Sequence, residues 1–229
     1  VSFYRESVKL YNNLSNEFNY NVMMENRGQL TLAHSDAAVR SFRWRAEVNQ
    51  HMGVRSELID RQAIAELVPN LNMSEDSRFP IMAGLWHADG ATARHDAVAW
   101  GYARGADALG VDLIQETEVT GIRRKNGAVV GVETTQGFIG ARKVACVTAG
   151  NSGVVAAMAG LRLPVESRPL QALVSEPVKP CLDTVVMSNA VHGYISQSDK
   201  GDLVIGAGVD GYNGYGQRGS FHVIEHTLQ

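Results

Sequence analysis

The sequence predicts an α+β chain whose two parts interleave. Three observations carry that class. Apolar residues at helical spacing alternate with short extended runs as far as Gly110. Three runs between Val119 and Ala141, joined at Lys125-Asn126-Gly127 and Gln136-Gly137, read as a β-meander. From Leu163 onward the strands become hairpin-linked, which marks an antiparallel sheet. The expected division is 1–88, a helix-bearing portion that shares its sheet with 163–229, and 89–162, a partial α/β layer between them.

Each element has a local reason. Tyr4, Val8, Tyr11, Leu14 and Phe18 mark a first amphipathic helix. Val22 to Ala33 reads as a strand pair around the turn signal Asn26-Arg27-Gly28. Ser35 or Asp36 caps a second helix, with Val39, Phe42 and Ala46 inward, Arg40, Arg43 and Glu47 outward, and Gly53 at its end. Val54 to Ile59 is a short strand. Asp60 caps a helix over Arg61 to Leu67, stopped by Pro69. Pro80 to Ala88 is a strand leading to a turn at Asp89-Gly90.

The chain is organised around Trp86 to Gly110. Asp96 is the expected N-cap of a long helix there, Val98, Tyr102, Ala106 and Leu109 its apolar face, and Gly110 its stop. His95 then sits at the helix N-terminus, where the macrodipole disfavours a further positive charge. A neutral imidazole there serves as nucleophile or acceptor, or the residue simply precedes a cap.

Val111 to Gln115 and Lys143 to Thr148 read as buried strands of parallel type. The second runs through Ala149-Gly150-Asn151-Ser152-Gly153 into a small-residue helix over Val154 to Ala159. Such a turn is either an ordinary connection or the place where α/β folds bind nucleotides. Val165 to Glu176, Thr184 to Ser188, His192 to Gln197 and Asp202 to Ala207 are strands, with a hairpin at Asp199-Lys200-Gly201. Gly206 to Gly211 has the spacing GxGxxG, but Tyr212-Asn213-Gly214-Tyr215-Gly216 cannot open a helix, so a loop is expected. Phe221 to Leu228 starts a helix.

Composition narrows the function. The chain is 45% hydrophobic and 20% charged, with a net charge of −3, as expected of a soluble globular protein without a nucleic-acid partner. No apolar run approaches the ~20 residues of a membrane span. Cys146 and Cys181 lack CxxC spacing and read as reduced thiols of a cytoplasmic protein, Cys146 in a buried strand. His34, His51 and His87 lack metal-ligand spacing, so no metal is expected. The chain starts without methionine and stops inside a helix, as an internal segment would.

ATARHDAVAWGYARGADALGVDLIQETEVTGI (Ala91 to Ile122), RPLQALVSE (Arg168 to Glu176), TVVMSN (Thr184 to Asn189) and GVDGYNGYGQRGSFHVIE (Gly208 to Glu225) resemble the β subunit of heterotetrameric sarcosine oxidases. The resemblance runs in order through nearly the whole chain. It implies a partial FAD-binding layer at 89–162 and a substrate domain formed by 1–88 and 163–229. It implies that His95 carries covalent FMN, that the backbone of Val119 faces the adenine side of FAD, and that Ala149 and Gly150 lie near the dinucleotide. The activity implied is oxidative demethylation of sarcosine to glycine. The co-products would be formaldehyde or methylene-tetrahydrofolate, and hydrogen peroxide. Tetrahydrofolate and NAD would sit on a partner subunit. The alternatives are a related N-methyl amino acid dehydrogenase, such as dimethylglycine dehydrogenase, or a non-catalytic interaction portion.

Departures from the family also shape expectations. A preceding strand–GxGxxG–helix and a later glycine-rich segment are absent from the sequence, so the isolated segment is expected to be inactive and to lose FAD. Tyr194 is the candidate counterpart of a catalytic tyrosine in monomeric sarcosine oxidases. Their histidine falls near Gly208 and has no equivalent, and His192 is nearby but unassigned. An exposed apolar patch is expected around Trp86, His87 and the start of the helix, where a partner subunit would meet the FMN site.

Overall fold

A computed structural model describes residues 2–191, 193–216 and 219–228. The class is α+β, with one mixed sheet and a separate antiparallel one. In chain order the elements are α1 (Ser2–Glu17), β1 (Met24–Glu25), β2 (Gln29–Ala33), α2 (Asp36–His51), β3 (Ser56–Ile59), α3 (Arg61–Leu67), β4 (Ala83–His87), β5 (Thr92–Ala93) and α4 (His95–Ala108). Then come β6 (Val119–Lys125), β7 (Ala128–Thr134), β8 (Gly137–Gly140), α5 (Ser152–Met158), β9 (Leu170–Val174), β10 (Val185–Ser188), β11 (Gly193–Gln197), β12 (Leu203–Val209) and α6 (Phe221–Leu228). They form two compact units. The first holds residues up to Val111, Gln171–Gly208 and the last helix; the second holds Asp112–Leu170 and the loop opening at Val209.

The first unit is built on a seven-stranded sheet in the order β3-β4-β2-β10-β11-β12-β9, so strands from both ends of the chain share it. It is not wholly antiparallel: β2 and β10 run parallel, with Leu30 beside Val186. Alternation along β2 sends Leu30 and Leu32 to one face and Ala33 to the other. On the first face they pack with Ile64 of α3, Ile81 and Leu182. On the second, Ala33 and Leu85 meet Ala38, Phe42 and Ala46 of α2. Both helices start where the sequence places them. The Ser35 hydroxyl accepts from the Ala38 N–H at 3.3 Å, and the Asp60 carboxylate accepts from the Ala63 N–H at 2.9 Å.

Two expectations for this unit are corrected. β1 and β2 do not pair with each other: β1 joins β5, and β2 lies between β4 and β10. At the turn between β1 and β2, Gly28 takes φ +74° and lies against the Trp86 ring, so the chain turns away instead of folding back. The face of α4 is also rotated. Ala97 and Gly101 are its buried residues, while Leu109 is 87% exposed. A Cβ on Gly101 would stand 3.1 Å from Phe18 and Val22 carbons. Small residues at i and i+4 thus let α4 approach the 18–22 segment more closely than Tyr102 or Leu109 could. Tyr102 instead meets Phe18 edge-on, with ring centroids 4.9 Å apart.

The second unit holds the meander β6-β7-β8 and the short helix α5. Here the sequence reading fails most. Val144-Ala145-Cys146-Val147-Thr148 forms no strand, and neither does Asp112 to Gln115 after Val111. Val147 is 88% exposed, and Cys146 is exposed rather than buried. A run of parallel type needs neighbours on both edges to satisfy its amides. Among the described residues no strand lies beside either run.

Candidate functional site

The site grows from the step out of β5 into α4. β5 is held by β1, with Met24 opposite Ala93 and Glu25 opposite Thr92. The helix begins one residue later, at His95, with Arg94 as N-cap. Asp96 is therefore not the cap. It lies inside the first turn, and its carboxylate accepts from the Ala97 N–H at 2.9 Å. Desolvation opposes its ionisation, but the Ala97 bond and Arg94 outweigh that and hold the carboxyl below its ordinary range.

The N-terminus of α4 faces the β11–β12 hairpin across a cavity of about 470 Å³. That size suits a small-molecule ligand. His95 and Tyr194, 99 positions apart in sequence, line the same cavity. Tyr194 stands on β11 opposite Gly206 of β12. A Cβ at Gly206 would lie 2.1 Å from the Tyr194 ring. The first glycine of the GxGxxG spacing therefore makes room for an aromatic side chain, and among the described residues no helix lies between the motif and Phe221.

The hairpin tip is tightly tied. The Ser198 hydroxyl donates to the Asp202 carboxylate at 3.0 Å. Buried Gln197 accepts from the Cys181 and Leu182 N–H groups at 2.8 and 3.1 Å. Its amide nitrogen donates to the Gly201 carbonyl at 3.0 Å. The cavity's carboxylates are all engaged: Glu25 pairs with Arg27, Asp199 with Arg94, and Asp202 with Ser198. Among the described residues, neither the His95 imidazole nor the Lys200 ammonium has a bonded partner. The wall thus offers an exposed ring nitrogen and a free cation, a donor set suited to a ligand with an electrophilic carbon and an anionic group.

The other sequence candidates lie elsewhere. Val119 begins β6, opposite Thr134. Ala149, at φ +44°, and Gly150 form an exposed 3-10 turn before α5. The Gly150 carbonyl accepts from the Ser167 hydroxyl. None of the three lines the cavity. His192 lies outside the described residues. His34 is a structural strut, with Nδ1 donating to the Phe79 carbonyl and Nε2 accepting from Ser188, both at 2.9 Å. Among the described residues no three metal-ligating side chains cluster. Among the described residues no helix is long and apolar enough to cross a membrane. Of the apolar patch expected around Trp86, His87 and the start of the helix, Trp86 and His87 are half-buried, Trp86 against the core. The exposed aromatics of this region are Trp100 and Tyr102 of α4. Sequence reasoning missed Asp199, Gln197 and Lys200, which the hairpin brings to the cavity.

The first unit thus has a mixed sheet packed by helices on both faces and a cavity of ligand size, an arrangement suited to a small-molecule enzyme. The sequence matches the FAD dependent oxidoreductase (DAO) family over residues 1–229, and the chain belongs to that family. It is 54% identical over 227 residues to sarcosine oxidase subunit beta of Rhizobium meliloti (strain 1021), covering 99% of this chain and 54% of that protein. It is 51% identical over 229 residues to the subunit of the same name from Rhodobacter capsulatus, covering 100% of this chain and 55% of that one. The chain thus spans about half the length of these relatives. Its fold resembles the crystal structure of L-proline dehydrogenase from P. horikoshii, with a TM-score of 0.85 and 26% identity, over 98% of this chain and 59% of that one.

Proposed function

We propose that the chain is part of the β subunit of a heterotetrameric sarcosine oxidase, an amine oxidoreductase of the cytoplasm. The observation that carries this reading is the uncommitted His95 imidazole on a cavity shared with Tyr194. The half-identity to sarcosine oxidase β subunits supports it. His95 would hold FMN covalently. Val119, Ala149 and Gly150 would lie along FAD in the second unit, where the exposed turn leaves the backbone of 149–150 accessible. Other sarcosine oxidase subunits would complete the enzyme, one of them holding tetrahydrofolate and NAD. Residues 1–88 and 163–229 would form the substrate domain, and 89–162 part of the FAD domain.

When bound, FAD would take a hydride from the N-methyl carbon of sarcosine, and FMN would pass the electrons to dioxygen. The His95 ring would give up its N–H and bond to the flavin 8α-carbon, which loses one hydrogen. The two electrons and two protons released in forming that bond would leave with dioxygen, the oxidant, as hydrogen peroxide. Tyr194 would bound the cavity beside His95 and orient a small substrate.

The test is His95→Ala in the full-length subunit with its partners. FAD should stay bound, and acid-stable flavin should disappear. Acid-stable FMN surviving in that variant would overturn the assignment.

A further inference from the structure

We infer that the Arg94–Asp199 ion pair is a positioning device that holds His95 in place for covalent attachment of a flavin. The inference rests on the reading of His95 above and adds two residues to it. The chain on either side of this imidazole is tied. Before it, Ala93 is held in the β1–β5 pair. After it, Asp96 is bonded by the Ala97 N–H and by Arg94 Nε, the latter at 3.1 Å. Beside it, Arg94 Nη1 donates to both Asp199 oxygens, at 3.0 and 3.3 Å. One guanidinium therefore bridges its own helix and a hairpin 105 residues away.

The far end of the bridge is rigid. Asp199 follows Ser198, whose hydroxyl is bonded within the turn, and Gln197 clamps the Gly201 carbonyl. A flexible tip could follow a drifting helix; this one fixes the helix start. Formation of a bond at a ring nitrogen needs near-attack geometry, and a misplacement of about 1 Å can cost about a hundredfold in rate. Arg94 and Asp199 are half-exposed, so the pair adds little to global stability. Its worth is geometric.

The test uses the full-length subunit produced with its partners in riboflavin-depleted cells. FMN is then added, and the appearance of acid-stable flavin is followed with time, alongside non-covalent FMN binding and thermal unfolding. At saturating FMN, Asp199→Asn should slow attachment by roughly 10- to 100-fold while unfolding stays close to wild type. Arg94→Lys keeps the charge but cannot span both carboxylates, and should fall between the two. Its rate remains readable if Asp199→Asn does not assemble. Attachment at the wild-type rate in either variant overturns the positioning role. Slowing matched by an equal loss of thermal stability would make the pair a mere strut and also overturns it. Absence of acid-stable flavin in the wild type would instead sink the reading of His95, and the inference with it.

Discussion

The two units treat apolar sequence in opposite ways. In the first, Leu30, Ile64 and Leu85 are fully buried between a sheet and two helices. In the second, the apolar runs that hold Leu113 and Ile114 and Val144 and Val147 lie open, Val147 almost entirely so. Hydrophobicity alone therefore did not decide burial. The first unit supplies partners for its strands from within the chain: β2 finds β4 on one edge and β10, more than 150 residues later, on the other. The second unit has neighbours only for its meander. An apolar run becomes a strand where backbone partners exist, and stays extended and exposed where they do not.

Three measurements would break or sharpen that comparison. The largest effect is expected in the first unit. Leu85→Ala empties a fully buried position between β4 and α2, and should lower unfolding free energy by about 2–5 kcal/mol in denaturant titration. A loss below 1 kcal/mol, by the same bookkeeping, would mean that this core is as loose as the second unit's surface.

A smaller effect should follow pH. Burial, with the Arg45 charge, pushes the His87 imidazole below its ordinary range. The folded chain then binds this proton less readily than the unfolded chain. Stability should be level above about pH 6.5 and fall as pH drops below that value towards the folded pKa. His87→Gln should flatten this part of the curve, measured by chemical unfolding at several pH values. An unchanged acid slope in the variant would reject His87 as its source.

The smallest effect belongs to the second unit. Val147→Ser should change stability by no more than about 0.5 kcal/mol, because the side chain has little to lose. It should instead reduce self-association of the isolated chain in sedimentation velocity, since exposed apolar runs with open edges stick to one another. A core-sized loss of stability at Val147 would erase the contrast between the units.

Much of this was legible in the residues, for physical reasons. Helix caps are local, so Ser35 and Asp60 announce the starts of α2 and α3 within one turn. Meander turns are local too, and β7 occupies its expected span. His95 was legible as lying at a helix N-terminus, although the cap is Arg94, one position before it, and not Asp96, one position after. What the pattern could not carry is pairing at a distance. Nothing near Arg94 points to Asp199, and nothing near Gln197 points to the Cys181 amide. The face of α4 was misread because large apolar residues draw attention, whereas close approach is made by the small ones, Ala97 and Gly101.

Tyr194 rests where a side chain at position 206 would stand. The phenol and the bare backbone on the facing strand act as a single shape, half written as a ring and half as a hydrogen atom. An alanine at 206 would push the ring out into the cavity and narrow it; a smaller residue at 194 would leave a notch that only a bulkier neighbour could fill. Position 206 thus decides where the ring at 194 can stand, and through that ring it shapes one wall of the cavity without touching it.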